Sequence, residues 1–246
     1  MSAGDPRRIF VAAGSLQTGR LRLEGEDATR ALKLGLRPGS ELVVLDDSGW
    51  EMDVRLTSVD ASVCEGEVLG RRLATERRTK VSLYQGLLHP SDFRRLLAAA
   101  TALGAVAFVP VITDGSVVPM LGADGAPEGE AEWPRLVREA AESARRGRLP
   151  QVGATSLLDQ ALDGAARGGT RLMIDPGGEP LAPLLAERPF SIDLFLPPPG
   201  GFTAEERARA RARGVTLAAP PQSGSDPIQP ALTTLDRIYA LLEAEA

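Results

Sequence analysis

Residues 81–112 read VSLYQGLLHPSDFRRLLAAATALGAVAFVPVI, and this stretch decides the fold class. Residues 81–88 form an apolar run that is typical of a buried strand. Residues 91–103 then carry apolar side chains at helical spacing, with Ser91 as the predicted N-cap. Residues 105–112 are a second continuous apolar run, which predicts a neighbouring strand of a parallel sheet.

The same alternation of strands and helices continues toward the C-terminus. The predicted strands cover residues 171–175, 192–196 and 215–218, and the predicted helices cover residues 132–146, 203–213 and 231–245. Thr203 and Glu206 have the spacing of a capping box, which supports a helix start at that point. Strands that alternate with helices indicate an α/β domain with a mainly parallel sheet.

The N-terminal third has a different pattern. Residues 50–59 and 62–69 alternate at period two, as half-buried antiparallel strands do, and Cys64 falls on a buried position of the second. Shorter strands are predicted at residues 8–11, 20–23 and 41–45, with a helix at residues 26–33. A small barrel closes such a set without leaving free edges. We therefore divide the chain into a β-barrel, residues 1–72, and an α/β domain, residues 80–246.

Composition excludes several classes of protein. The chain is 43% hydrophobic and 25% charged, which are ordinary globular values. No apolar run approaches the roughly 18 to 20 residues of a membrane span, and residues 1–8 carry no apolar signal-peptide core, so we expect a cytoplasmic protein without membrane contact. The single cysteine, Cys64, and the single histidine, His89, argue against a metal site. The net charge of −5 gives no strong cationic field for nucleic acid.

The loop at residues 196–202, LPPPGGF, is the first candidate for a ligand site. In an open α/β sheet, ligands bind beyond the C-terminal ends of the strands. Gly200 and Gly201 allow a ligand to approach the backbone, and the helix that begins near Thr203 offers unpaired N–H groups. Taken alone, such a turn is more often a plain connection between a strand and a helix.

A collinear set of segments makes the prediction more specific. They are RIFV at 8–11, LRPG at 36–39, WEMD at 50–53, LYQGLL at 83–88, ATALG at 100–104, FVPVITDGSVV at 108–118, EAAE at 139–142 with Arg146, Leu149 and Pro150, and PPGGF at 198–202 with Glu205 and Glu206. In this order they resemble the RsmE-type 16S ribosomal RNA uridine-N3 methyltransferases of the SPOUT class, over nearly the whole chain.

The resemblance implies an α/β fold class of two parts: an N-terminal PUA-like barrel for RNA and a C-terminal SPOUT-type parallel α/β domain tied in a trefoil knot. It implies a homodimer that acts on ribosomal RNA or the small ribosomal subunit, with S-adenosyl-L-methionine as cofactor. The positions that fall on the cofactor loops are Leu196, Pro198, Gly200, Gly201, Ala219 and Gln222. The candidate RNA-binding residues are Arg8, Arg30, Arg37 and Arg146, although each could equally be a surface cation or, for Arg146, a charge at a helix C-terminus.

Several positions depart from the pattern of the family. The family sequence Gly-Pro-Glu-Gly-Gly is Pro-Pro-Pro-Gly-Gly at residues 197–201. The arginine-rich last knot loop falls on PPQSGSDPIQP, residues 220–230, which holds neither the arginines nor the glutamate. The lysine that follows the first strand is replaced by His89. Uracil N3 has a proton to lose, and His89 and Asp226 are the candidate bases.

Three interpretations follow from these observations. The chain is an active S-adenosylmethionine-dependent rRNA uridine methyltransferase, or it is a degenerate paralogue that keeps the knotted dimer as an RNA- or ribosome-binding module. The third interpretation is an unrelated α/β enzyme or interaction protein. Cofactor binding separates the first two interpretations, and the fold separates both of them from the third.

Overall fold

The computed structural model describes residues 6–17, 19–116, 127–165, 168–222 and 224–244. The chain forms two compact units. Unit 1 consists of Met1–Glu76 with Ala141–Leu149, and unit 2 consists of Arg77–Ala140 with Pro150–Ala246. Across the described residues, no helix combines the length and the apolar character that a membrane crossing needs. Within the same ranges, no three His, Cys, Asp or Glu side chains group closely enough to hold a metal ion.

Unit 1 is built on a six-stranded sheet with the strand order β1-β4-β5-β6-β3-β2. Its elements are β1 (Arg7–Phe10), β2 (Leu16–Gln17), β3 (Arg20–Glu24), α1 (Gly25–Lys33), β4 (Glu41–Leu45), β5 (Trp50–Val59) and β6 (Val63–Leu73). All neighbouring strands are antiparallel except β1 and β4. Alternate side chains of β3 and β5 point into one apolar core, and α1 adds Ala28 and Ala31 to it. Cys64 is fully buried there, which confirms its predicted position.

The segment Ala141–Leu149 belongs to unit 1 although it follows residues of unit 2 in the chain. Ala141 and Leu149 pack with apolar side chains of β1 and β4. The Glu142 carboxylate accepts a hydrogen bond of 2.7 Å from the Phe10 N–H and pairs with Arg30. The predicted division at residues 72 and 80 assigned this segment to the α/β domain, because its role in unit 1 depends on long-range partners.

Unit 2 contains a seven-stranded parallel sheet in which β10-β8-β7-β12-β11-β13 is the strand order and β9 pairs with β8. The strands are β7 (Lys80–Gly86), β8 (Ala107–Ile112), β9 (Gln151–Val152), β10 (Ser156–Leu157), β11 (Thr170–Glu179), β12 (Ser191–Leu196) and β13 (Thr216–Ala218). The helices are α2 (Pro90–Leu103), α3 (Trp133–Ser143), α4 (Leu158–Gly164), α5 (Leu181–Leu184), α6 (Ala204–Ala212) and α7 (Gln229–Glu243), of which α3 runs on into the segment assigned to unit 1.

The predicted elements of unit 2 are present, and three of the differences at their ends have a clear cause. Helix α2 begins at Pro90, and its N-cap is His89 rather than Ser91, because the His89 ring accepts a hydrogen bond from the Ser91 N–H. Helix α3 ends at Ser143, before the predicted residue 146, since Arg145 has a φ of 57°. Strand β11 continues past residue 175 because Glu179 pairs with Ala218.

The strand order brings together the ends of strands that are distant in sequence. Strand β12 lies between β7 and β11, and β13 lies at the edge on the far side of β11. Helix α7, which follows β13, packs against α2, the helix that follows β7. After β13 the chain therefore leaves the edge of the sheet and passes back across β11 and β12 before it reaches α7. A return crossing of this kind is what a trefoil knot requires.

An internal ion pair gives the first testable prediction. Arg146 and Glu76 in unit 1 are joined by guanidinium bonds of 2.9–3.2 Å, and the Glu76 carboxylate also accepts the N–H groups of Gly147 and Arg148. Burial alone would raise the pKa of Glu76, but these donors outweigh it and lower the pKa below 4.5. We expect Glu76→Gln to reduce the free energy of unfolding by about 3 kcal/mol, because it leaves the buried Arg146 charge poorly paired. Urea denaturation measures this difference.

Glu67→Gln is the control, since Glu67 is exposed on β6. Because the folded-state pKa of Glu76 is lowered, its contribution is complete above the ordinary glutamate pKa and is lost as the pH falls through the lowered value. The wild type and Glu76→Gln should therefore converge in stability at acidic pH. Equal stability of the two variants at neutral pH would contradict the role given to the pair.

Candidate functional site

The candidate site lies at the C-terminal edge of the parallel sheet in unit 2. Leu196, Pro198, Gly200 and Gly201 lie at or just beyond the end of β12, and Ala219 and Gln222 follow β13. Since β7, β8, β11, β12 and β13 are all parallel, the loops after them share this edge. This is the edge at which open α/β sheets bind ligands.

The loop after β12 forms a tight turn in spite of its prolines. The Gly201 N–H donates to the Pro198 carbonyl at 2.9 Å, which makes Pro199 the second residue of the turn, a position that the fixed φ of proline suits. Gly201 has a φ of 78°, which favours glycine. Apart from the residues adjacent in the chain, no atom lies within 4 Å of the point that a Cβ on Gly200 or Gly201 would occupy, so the space beside both glycines is open.

Strand β7 holds this loop from one side. A Cβ on Gly86 would lie 2.6 Å from the Pro198 nitrogen, so only glycine permits the observed approach. The buried Gln85 side chain donates through Nε2 to the carbonyl oxygens of Gly86 and Pro197, at 2.9 and 3.0 Å. Gln85 and Gly86 belong to the LYQGLL segment, 83–88, but this contact could not be predicted because its partner lies more than 100 residues away in the chain.

Glu206 connects the loop after β12 to the loop after β8. Its side chain is fully buried, and its two carboxylate oxygens accept the Asp114 N–H and the Thr203 N–H, each at 2.8 Å. The Thr203 hydroxyl in turn accepts the Glu206 N–H at 3.2 Å, which confirms the predicted capping box. The contact to Asp114 is additional, and it fixes the separation of two loops that are distant in sequence.

The C-terminal part of β11 packs closely against the end of β13. A Cβ on Gly178 would lie 2.4 Å from the Ala218 carbonyl carbon, and the Ala219 N–H donates to the Glu179 carbonyl at 2.7 Å. The carboxylate of Asp175 accepts the Gly177 N–H at 2.9 Å and pairs with Arg207 at 3.1 Å. The predicted position Ala219 is therefore held against β11. The Asp-Pro-Gly-Gly run at residues 175–178 is a turn signal in the sequence, and it falls where the register of β11 shifts between Ile174 and Glu179.

The two candidate bases have different surroundings. His89 is exposed just beyond the end of β7, and its Nδ1 contacts the Ser91 hydroxyl at 2.8 Å. Asp226 pairs with Arg95, and this pairing, together with the Ile228 N–H, lowers the pKa of Asp226. A carboxylate with a lowered pKa is a weaker proton acceptor, so the structure disfavours Asp226 as the base. The last two residues of the segment quoted at 108–118, Val117 and Val118, lie outside the described residues.

Three of the four predicted RNA-binding arginines take part in ion pairs within unit 1. Arg8 pairs with Glu51, Arg30 with Glu142, and Arg146 with Glu76. Arg146 is only 6% exposed, so its assignment as an RNA contact is not supported: the guanidinium is committed to Glu76. Arg8 and Arg30 are partly buried, so they have little capacity left for a phosphate. Arg37 is exposed, and among the described residues no carboxylate pairs with it.

The two sheets and the loops at the C-terminal edge of the parallel sheet define a class of protein: an α/β protein of the SPOUT type that carries a small barrel-like mixed sheet. The sequence profile of the RNA methyltransferase domain family matches residues 75–219. The chain belongs to this family, which confirms the family predicted from the collinear segments and argues against an unrelated α/β protein.

Individual relatives agree with this assignment. The chain is 27% identical over 215 residues to the ribosomal RNA small subunit methyltransferase E of Synechocystis sp., which covers 85% of this chain and 67% of that protein. It is 26% identical over 178 residues to the protein of the same name from Mycobacterium tuberculosis, with 70% and 68% covered. The crystal structure of the Neisseria gonorrhoeae enzyme of that name, bound to S-adenosyl methionine, superposes with a TM-score of 0.84 at 22% identity, over 96% of this chain and 98% of that one. This match confirms the predicted fold class.

Glu206 provides a test of how the site is held. Glu206→Gln keeps one acceptor oxygen and turns an NH₂ group toward one of the two backbone N–H groups, which then has no acceptor. We expect the variant to lose about 1–3 kcal/mol of stability, the cost of an unsatisfied buried donor. Hydrogen exchange should also accelerate at the amides of Asp114 and Thr203. Glu205→Gln, at the exposed neighbouring residue, is the control and should match the wild type. If exchange stayed slow at both amides in Glu206→Gln, the Glu206 carboxylate would not be what holds the two loops together.

Proposed function

We propose that this protein transfers a methyl group from S-adenosylmethionine to ribosomal RNA, with N3 of a uridine in the small-subunit RNA as the target. The family assignment supports an RNA substrate, and the names of the relatives specify small-subunit ribosomal RNA. The observation that carries the proposal is the open space beside Gly200 and Gly201, at the edge where open α/β sheets bind ligands. The Neisseria relative of the same fold is a crystal structure bound to S-adenosyl methionine.

The residues at this edge fit an adenosyl group. A nucleoside needs a backbone that it can approach closely, together with free N–H and C=O groups for the edge of the base. The glycine pair supplies the approach. Leu196 and Pro198 give apolar surface beside it. The Ala219 carbonyl and the Gln222 backbone come from the loop after β13, whereas the Ala219 N–H already donates to Glu179. These six positions, predicted from the resemblance, are proposed as the cofactor contacts.

The chemistry asks little of the protein beyond position. The bound cofactor supplies an activated methyl group on a sulfonium, and the uracil N3 must lose its proton as the new C–N bond forms. The protein's part is to hold the uracil in line with the methyl group, to exclude water and to accept the N3 proton. His89 is proposed as the acceptor in preference to Asp226, because it lies beyond the end of β7, the strand next to β12, and has no acidic partner among the described residues. The base is the tautomer in which Nδ1–H donates to the Ser91 hydroxyl instead of accepting the Ser91 N–H, because Nε2 then keeps the lone pair that accepts the proton.

Two further parts of the proposal come from the resemblance. A homodimer would complete the site with parts of both subunits, and light scattering of the purified protein tests it. A ribosomal substrate implies that the protein acts in the cytoplasm. A degenerate paralogue that binds RNA without methylating it is the alternative. It is favoured by the departures from the family pattern at residues 197–201, at His89 and at residues 220–230, which lack the arginines and the glutamate.

Gly200→Leu tests the cofactor site. Apart from the adjacent residues, nothing lies within 4 Å of the new Cβ, and the φ of Gly200 is not in the left-handed region, so the fold should tolerate the side chain. The leucine would fill the space beside the two glycines, where the cofactor is proposed to bind. We expect the wild type to bind S-adenosylmethionine in calorimetry and Gly200→Leu to lose at least about tenfold in affinity, or roughly 1.4 kcal/mol. The control is Gly164→Leu, at another open glycine of unit 2, which should bind as the wild type does. A wild type that gives no heat with millimolar cofactor would favour the degenerate paralogue.

His89→Gln tests the proposed base. Removing a general base lowers methyl transfer by about 100-fold or more, while cofactor affinity stays unchanged, because the side chain acts on the N3 proton alone. Transfer is measured with labelled cofactor and small-subunit ribosomal RNA, and the product is mapped by reverse transcription. Asp226→Asn is the matched comparison and should retain most of the activity. If Asp226→Asn lost more methyl-transfer activity than His89→Gln, Asp226 rather than His89 would be the base.

A further inference from the structure

One face of the β5–β6 ribbon in unit 1 continues beyond the apolar core. Trp50 pairs with Leu73 and Met52 pairs with Arg71 across the two strands, so the four side chains share one face of the sheet. Met52 is buried in the barrel core, but Trp50 is 37% exposed and Leu73 is 69% exposed. The ribbon therefore presents an aromatic ring and an aliphatic side chain to solvent on the face that is elsewhere buried.

A hollow of about 300 Å³ lies against the Trp50 side chain. Leu16 and Gln17 of β2 contribute to its lining, and the turn between β4 and β5 contributes Asp46 and Ser48. The volume is at the lower end of the range for small-molecule sites, which is large enough for one planar base. The lining combines apolar surface with hydrogen-bonding groups, as recognition of a base requires.

The hollow is lined by a cation, Arg71, on the same face as the Trp50 ring. The Arg71 guanidinium carbon lies 4.9 Å from the centroid of the Trp50 ring. Among the described residues, no carboxylate pairs with Arg71, whereas Arg72, the next residue, pairs with Glu51 and Asp53. The charge of Arg71 therefore remains available to a phosphate beside a stacked base.

The turn that forms one side of the hollow is fixed before any ligand arrives. Asp47 has a φ of 62°, and Arg148 donates to the carbonyl oxygens of Asp47 and, at 3.0 Å, Ser48. The Asp46 carboxylate accepts the Ser48 N–H at 3.1 Å through one oxygen. A carboxylate here repels phosphate but accepts the N–H groups of a base. The wall therefore suits the edge of a base and leaves the phosphate to Arg71.

We propose that this hollow binds one unpaired base of the RNA substrate, stacked on Trp50, with the adjoining phosphate on Arg71. The inference rests on the proposed function, because that function supplies the RNA. It also addresses the net charge of −5, which gives little general attraction for a polyanion. Stacking on an aromatic ring contributes affinity that depends less on charge.

The chain has two tryptophans, Trp50 and Trp133, and the second is 1% exposed, so a ligand in the hollow is reported by Trp50 alone. The probe is a fluorescein-labelled single-stranded oligouridylate of about ten nucleotides, within the site sizes known for single strands. An unlabelled copy should quench the emission of the wild type. In anisotropy, Trp50→Ala should bind the labelled probe about 5- to 150-fold more weakly, the range for losing one base–aromatic stack.

Trp50→Phe separates stacking from a general effect on folding, because it keeps a ring: it should bind nearly as tightly as the wild type and show no quenching. Phe190→Ala removes an exposed aromatic residue from unit 2 and should not change binding. The inference would be overturned if Trp50→Ala bound the probe as tightly as the wild type. It would also be overturned if the Trp50 emission changed with protein concentration in the absence of RNA, because a second copy of the chain would then cover the hollow. Cofactor binding and methyl transfer by the wild type are measured separately, so failure there counts against the proposed function alone.

Discussion

The buried carboxylate of Glu206 is the contact on which the ligand-binding edge depends. A charge without water or a neighbouring cation has to be satisfied by N–H donors, and here those donors come from two loops, at Asp114 and Thr203. Satisfying the charge therefore sets the distance between the ends of β8 and β12. Gln85 and Gly86 do the same between β7 and β12. The open space beside Gly200 exists because its loop is held on both sides.

The sequence predicted the parts of the fold that local pattern controls. Continuous apolar runs located the parallel strands, period-two alternation located the barrel strands, and Thr203 with Glu206 located the start of α6. Contacts between distant segments could not be predicted in this way. Gly86 and Gly178 look like ordinary strand glycines in the sequence, and their roles appear only when a second backbone lies against them. Helix α4 was missed because its seven residues are too few for a clear period.

The arginines show a similar limit. A sequence shows how many cations a chain has, but not which of them already have partners. Arg8 and Arg30 in the barrel and Arg146 near the end of a predicted helix are predicted RNA contacts, but each of them neutralises a carboxylate of unit 1. Because pairing and burial depend on residues 40 to 140 positions away, only the fold separates such cations from Arg37 and Arg71, which stay exposed.

The discontinuity of unit 1 has a consequence for how the protein is made. Glu142 and Arg146, which pair with Arg30 and Glu76 of the barrel, come from the segment Ala141–Leu149. A nascent chain that has emerged only as far as Glu76 therefore lacks both counter-charges. It also lacks the apolar cover that Ala141 and Leu149 provide. The first unit to begin synthesis is thus unable to finish folding before much of the second has left the ribosome. For the same reason, cutting the gene between the two units would not yield an intact barrel.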